Sequence, residues 1–289
     1  MNGIIIIDKP LGITSHDCVN HIRKTLKTKK VGHAGTLDPL ATGVLVVGVN
    51  DALKAFEYLE NDDKTYEFRV CLGKATTTYD SEGEVILDAD VSLTENEIDQ
   101  IIPSFVGASM QMPPLYSALK KDGKPLYYYA RNNIEVDVDK RQIEIYQLSR
   151  TSKVEKNGKY CYCSFLAHVS KGTYIRSLAF DLGQALNVPS SIVSLRRIQS
   201  GRFNIEKALK PDDIREDVSL LNVADYLPFP KYEVLDLDLK KKINNGVSIH
   251  KSDLKRNEEC IMFTLNQEIF AIYKLSDDLY KALKVWVKS

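Results

Sequence analysis

From Lys64 the chain alternates with a period of two: Tyr66, Phe68, Val70 and Leu72 are apolar, and Glu67, Arg69 and Cys71 stand between them. Side chains of a strand point alternately to opposite faces, so this segment is a strand with one face turned to a core. Gln142–Leu148 and Lys159–Val169 alternate likewise. Asn157-Gly158 between them reads as a hairpin turn, because a tight hairpin needs residues that tolerate positive φ. The apolar run Ile4–Ile7 is a further short buried strand, left through the turn Asp8-Lys9-Pro10-Leu11-Gly12.

Helices are marked by their caps. Thr14 with Asp17 makes a capping box, after which Cys18, Val19, Ile22 and Leu26 share one face. Thr94 with Glu97 starts another helix, stopped by Pro103. Asp51 opens a helix with Ala52, Ala55, Phe56 and Leu59 on one side, and Ile175, Leu178, Ala179 and Leu182 line one more. Arg176 falls in the first turn of that last helix, about 100° of rotation from its apolar face. A cation gains nothing from the dipole at a helix N-terminus, so its position needs another cause.

Between Gly32 and Gly48 the chain reads GHAGTLDPLATGVLVVG and sets one carboxylate, Asp38, before a proline and ahead of the apolar run Val44–Val49. The proline biases Asp38 toward extended backbone and so toward a loop. Asp-Pro is also an ordinary turn initiator, and alone it argues only for a turn. Gly43 and Gly48 have the spacing of a phosphate loop, but Val49 and Asn50 follow where Lys and Ser or Thr are required. No Gly-x-Gly-x-x-Gly, no His and Glu pattern of metal-ligand spacing and no Gly-x-Ser-x-Gly elbow is present, which argues against glycine-loop nucleotide binding, metal hydrolysis and a serine nucleophile.

With 44% hydrophobic and 27% charged residues, the 289-residue chain can bury a sizeable core as one large domain with a small one. A formal net charge of zero leaves any polyanion contact to local clusters. Such clusters are Arg23, Lys24, Lys27, Lys29 and Lys30; Lys120, Lys121 and Lys124; and Arg196, Arg197 and Arg202. Met110–Arg131 interleaves its cations with tyrosines 116, 127, 128 and 129, as a surface for looped or single-stranded RNA requires; a proline-rich surface loop with core tyrosines is the alternative. A helical stretch is expected up to Leu221, then a linker at Leu227-Pro228-Phe229-Pro230. Beyond it lies a small β-rich domain with strands around Cys260–Leu265, Glu268–Lys274 and Lys284–Val287. Five cysteines with no C-x-x-C pair fit reduced thiols in a cytoplasmic protein, and Ile4–Ile7 is far short of a signal peptide or membrane span.

Several long motifs stand in one order: DKPLGITS at 8–15, GHAGTLDPLATGVL at 32–45, KTYEF at 64–68, LGKATTTYDSEG at 72–83, PPLYSALKKDGKPLYYYAR at 113–131, SKGTYIRSLAFDLG at 170–183 and LRRIQSGRF at 195–203. In these the chain resembles the bacterial-type tRNA pseudouridine-55 synthases. The resemblance implies a mixed α/β fold on a largely antiparallel sheet, with residues 1–230 catalytic, an RNA-binding insertion at about 105–145, and a PUA-like domain at 231–289. It implies isomerisation of uridine 55 in the tRNA T arm, through base flipping, with no cofactor and no metal. With no heptads and no swapped-strand signal in the sequence, a monomer is expected. Position by position, Asp38 matches the nucleophile and Arg176 the arginine paired with it, which would account for the place of that arginine. Tyr66, by periodicity a core tyrosine, matches the ring stacked on the flipped uracil and a base for the C5 proton. His33 matches the histidine that helps extrude the base, and Tyr174 and Leu195 match residues lining the uracil pocket. Lys9, Lys120, Lys121, Lys124, Arg131, Arg196 and Arg197 are the RNA contacts expected. Thr77 stands where the family usually has Asp, and Asn133 where Gly is frequent. The rival readings are a tRNA-folding chaperone with catalysis secondary, and a synthase for another RNA.

Overall fold

A computed structural model of the chain describes residues 2–59 and 63–286. Across the main sheet the strands run Gly3–Lys9, Ala41–Val49, Ser190–Ser200, Lys64–Leu72, Tyr160–Val169, Arg141–Arg150 and Gly107–Gln111. Neighbours on that path are antiparallel except Ala41–Val49 with Ser190–Ser200, which is parallel. The mixed, largely antiparallel α/β architecture read from the sequence is the one found.

Lys64–Leu72 lies at the centre because both of its edges are used: Tyr66 stands opposite Ala167 on one side and Arg197 on the other. Its apolar residues join Ile5, Ile7, Leu45 and Val47, with Cys18, Val19 and Ile22 of the first helix and Leu178 and Leu182 of the helix Ile175–Ala185, in one core. Within it Phe68 stacks on Phe165 with ring centroids 5.3 Å apart. Both capping boxes form, at Thr14 with Asp17 and at Thr94 with Glu97. The segment from Asp51 winds first as a 3-10 helix and then as a short α-helix, with its four apolar residues buried as read. Asn157-Gly158 turns the chain from Glu155–Asn157 into Tyr160–Val169, with Gly158 at φ 59°, while Arg141–Arg150 pairs with the same strand further along.

The helical stretch expected before Leu221 is not formed. Short 3-10 turns occupy Ile205–Lys207 and Pro211–Asp213, and the backbone is otherwise spent on the outer edge of Gly3–Lys9: Leu209 bridges Ile7, and Leu221 and Ile4 exchange N–H···O bonds of 2.9 Å. An edge strand offers unpaired N–H and C=O groups, and satisfying them here outweighs local helix preference.

The C-terminal strands Cys260–Leu265, Glu268–Ser276 and Leu279–Val285 extend into a five-stranded sheet with Lys231–Glu233 and Ile249–His250 at its ends, the PUA-like sheet expected. Val287, read as the end of the last strand, lies outside the described residues. Helix Leu237–Asn244 and the parallel strand Lys231–Glu233 carried no period to announce them. This sheet is packed against the main one rather than tethered to it, since Met262, Ile269, Ile272 and Trp286 share a core with Ile4, Ile6, Val44 and Val46. Trp286 Nε1 also donates to the Asp51 carbonyl at 2.9 Å. Leu227, in the expected linker, is buried in that same core. The cysteines are free thiols, and burial pushes that of Cys163 up to about 12. No helix among the described residues is long and apolar enough to cross a membrane.

Candidate active site

Asp38 is held on a turn, as its proline suggests: the Ala41 N–H donates to the Asp38 carbonyl at 3.0 Å, and the strand Ala41–Val49 starts there. Two buried polar groups fix this turn from beneath. The Ser15 hydroxyl accepts from Leu37 N at 2.9 Å and donates to Leu37 O at 3.0 Å. The Lys9 ammonium donates to the carbonyls of Ile13 at 2.6 Å, Pro10 at 3.1 Å and Pro39 at 3.3 Å. Lys9 is fully buried, and that burial pulls its pKa below the ordinary lysine value. Lys9 is therefore an internal strut of the Asp38 loop and not the surface RNA contact expected of it.

Arg197 calls for the same correction. It is 1% exposed; its Nε donates to Val44 O at 2.7 Å and its Nη2 to Gly35 O at 3.0 Å. Consecutive strand residues face opposite ways, so of two adjacent arginines one must turn inward. Arg196, facing out, forks onto the Asp8 carboxylate at 2.8 and 3.0 Å and stays partly exposed. Gly43, a misleading phosphate-loop glycine, is required where this strand passes. Its φ is 98°, and a Cβ would lie 2.2 Å from the Arg197 carbonyl oxygen.

Asp38, Tyr66, Tyr174, Arg176 and Leu195 line one cavity of about 300 Å³. The parallel pairing of Leu195 with Ala41 brings the two strand ends together at its wall, and Tyr66 stands on the adjacent central strand. Arg176 closes the cavity from the helix N-terminus and makes four contacts. Its Nη2 lies 2.9 Å from Asp38 Oδ2 and donates to Tyr116 O at 2.8 Å; its Nη1 donates to Thr78 O at 3.0 Å and lies 3.5 Å from Asp80 Oδ2. These carboxylates, and not the helix dipole, account for the arginine. Asp80, a retained acid of the stretch LGKATTTYDSEG to which the sequence gave no role, is buried and receives Thr78 Oγ1 and Glu82 N on its other oxygen. Arg176 and Asp80 side chains are 6% and 5% exposed against 41% for Asp38, so the ion pair is dry on one side and open at the carboxylate.

Tyr174 is the N-cap of its helix without a side-chain cap, and buried Gln111 clamps its backbone. Gln111 Oε1 accepts from Tyr174 N at 2.8 Å and its Nε2 donates to Tyr174 O at 3.1 Å. A glutamine on the strand Gly107–Gln111 gives no local signal of this clamp. His33 is not in the cavity of Asp38. It lines a neighbouring one of about 270 Å³ with Gly35, Lys64, Lys171 and Ser200, and Thr36 borders both.

Lys120, Lys121, Lys124 and Arg131 stand outward on the insertion. Lys120–Lys121 and Lys124–Pro125 form a small hairpin, followed by the helix Leu126–Arg131. Lys124 Nζ sits 4.3 Å from the Tyr128 ring centre and the Arg131 guanidinium 5.5 Å from that of Tyr127, while Lys121 pairs with Asp139. Asn133, standing where Gly is frequent, has φ 53°, a left-handed conformation that asparagine tolerates.

Residues 23–175 match the family described as TruB family pseudouridylate synthase (N terminal domain). The chain is 40% identical to the tRNA pseudouridine synthase B of Streptococcus mutans serotype c over 99% of its own length and 100% of that protein's. It is 37% identical to the tRNA pseudouridine synthase B of Bacillus subtilis strain 168 over 94% and 93%. Among solved structures, a chain of the H/ACA RNP bound to a substrate RNA containing 2'-deoxyuridine superposes with a TM-score of 0.68 at 22% identity, covering 99% of this chain and 85% of that one, a likeness of fold. With the family matched over more than half of its length and relatives of such identity spanning nearly all of it, the chain belongs to the TruB family of pseudouridylate synthases.

Proposed function

We propose that this chain isomerises uridine 55 in the T arm of tRNA to pseudouridine, with Asp38 as the nucleophile. The observation that carries the reading is the Asp38 carboxylate, directed by Arg176 at 2.9 Å, at the open side of a cavity walled by Tyr66, Tyr174 and Leu195. The isomerisation breaks the bond from C1′ to N1 and forms one from C1′ to C5; C5 loses a proton and N1 gains one. An anionic, oriented carboxylate can open the first bond as a nucleophile. Tyr66 stacks on the base and takes the C5 proton. The target uridine leaves its stack at a cost of a few kcal/mol, and stacking on aromatic rings offsets it. His33, in the adjoining cavity, acts on the extruding strand.

Recognition of the folded T arm falls to the insertion, which carries Lys120, Lys124 and Arg131, the last two set against Tyr128 and Tyr127, and to Arg196. In this reading residues 1–230 are the catalytic domain, 231–289 the PUA-like one, and the enzyme works as a monomer in the cytoplasm without cofactor or metal. Asp38→Asn removes the nucleophile and leaves the RNA surface intact. Tritium release from C5-labelled T-arm RNA should fall to background while RNA affinity stays within about threefold, the scatter of a surface change of ~0.5 kcal/mol. Release at the wild-type rate would sink the assignment.

A further inference from the structure

The wall of the Asp38 cavity includes Ser117, whose hydroxyl the assignments above leave unused. Ser117 is 5% exposed, and its Oγ, shielded from solvent, has no hydrogen-bond partner among the described residues. The backbone that carries it is anchored on both sides. The Tyr116 carbonyl is taken by Arg176, and the Ser117 carbonyl accepts from Tyr127 N at 3.2 Å. The backbone that carries the hydroxyl is thus held by the group that directs Asp38, while the hydroxyl itself is bonded to nothing among the described residues. A buried hydroxyl without a partner destabilises a fold, so its place in the wall of a ligand cavity points to a partner that arrives with the ligand.

A flipped uracil brings the matching need. Its two carbonyl oxygens lose water on entering the cavity and require donors. The charged donor there, Arg176, already has its two ends engaged by Asp38, Asp80 and two carbonyls. We propose that the Ser117 hydroxyl donates a hydrogen bond to a carbonyl oxygen of the flipped uracil and so fixes the orientation of the ring beside Asp38. This rests on the pseudouridine synthase reading. It also suits the rearrangement itself. Turning a uracil half a revolution about its N3 to C6 axis exchanges N1 with C5 and, at the same time, O2 with O4. One stationary donor therefore meets a carbonyl oxygen before the turn and the other carbonyl oxygen after it.

The test compares wild type with Ser117→Ala on T-arm RNA, reading tritium release and melting temperature together. The expected result is a loss of about 10-fold in kcat/KM, one hydrogen bond's worth, with a melting temperature equal to or above that of wild type. A melting temperature lowered by several degrees with kcat/KM within twofold would make Ser117 a structural residue and overturn the proposal. If both fall, RNAs carrying 2-thiouridine or 4-thiouridine at the target decide, because sulfur is a poorer acceptor. Thiolation at one of the two positions should slow wild type at least threefold more than it slows Ser117→Ala; equal effects on both enzymes at both positions overturn the proposal. Ser117→Cys, similar in volume and weaker as a donor, takes the place of the alanine variant should that not fold. A wild-type enzyme inactive on T-arm uridine would instead sink the proposed function, so the two failures are distinguishable.

Discussion

Replacing Arg176 with lysine isolates what the guanidinium does for the proposed nucleophile. Four contacts converge on it: Asp38 at 2.9 Å, Tyr116 O at 2.8 Å, Thr78 O at 3.0 Å and Asp80 at 3.5 Å. They lie on both prongs of a planar fork, and an ammonium is a point donor that can serve one prong. Two charge-assisted hydrogen bonds are then lost, at ~1.5–3 kcal/mol each, or roughly 3–6 kcal/mol in all. If about 3 kcal/mol of this is orientation of Asp38 in the transition state, kcat falls by more than about 100-fold. The remainder lowers stability, and about 2 kcal/mol of it means a melting temperature down by roughly 4–8 °C for a chain of this size. Single-turnover tritium release at saturating enzyme reads the first quantity and a thermal melt the second. RNA affinity, read by filter binding, should stay within about threefold, because Arg176 is buried behind the cavity. A lysine variant with kcat within threefold of wild type and an unchanged melt would refute the idea that Arg176 directs Asp38.

Two further outcomes follow from the fold. Burial pushes the Asp181 carboxyl up to about 6 from an ordinary 3.8, with Lys140 opposing weakly, so the folded state holds this proton more tightly than the unfolded one. The associated stability is complete below about pH 4 and is lost as pH rises through 6. Asp181→Asn should therefore melt about 2–4 °C above wild type at pH 8, roughly 1 kcal/mol after discounting for partial exposure, and level with it at pH 4; a gain at pH 4 equal to that at pH 8 would exclude a titrating carboxylate. Gly43→Ala puts a methyl 2.2 Å from the Arg197 carbonyl at φ 98°, and should cost at least ~3 kcal/mol, seen as a melt lowered by more than about 6 °C and reduced soluble yield. A variant that melts with wild type would mean that the parallel pair can spread without loss.

What the sequence made legible is what local chemistry determines. Period two located Lys64–Leu72, the capping boxes located two helix starts, and a proline placed Asp38 on a turn. Arg176 could be marked as out of place from its helix position alone, though not explained by it. The rest depends on partners remote in the chain. Lys9 and Arg197 read as surface cations because a cluster of charge in sequence does not say which side of a strand each member takes; both are buried, bonded to carbonyls. Asp80, Gln111 and Ser117 carry no periodic signal, and each is placed by contacts or a cavity wall built by residues tens of positions away. The segment before Leu221 failed for a related reason, since a free sheet edge offers backbone partners that no local propensity can reveal.

The division of exposure within the ion-pair cluster has a chemical meaning. Arg176 and Asp80 are almost wholly covered, while Asp38 keeps two fifths of its side chain open. A guanidinium removed from water is screened less, so its hold on the one carboxylate that faces the cavity is stronger than at a surface. Burying it between two carboxylates and two carbonyls is a cost met on folding, before any RNA is present. Little reorganisation of these dipoles then remains for the moment when charge shifts on the nucleotide, which is the condition under which fixed electrostatics lower a barrier. The loop struts extend the same logic outward. Ser15 on Leu37 and Lys9 on Pro39 hold the backbone on both sides of Asp38, so the aim of the carboxylate is set by buried groups beneath its loop.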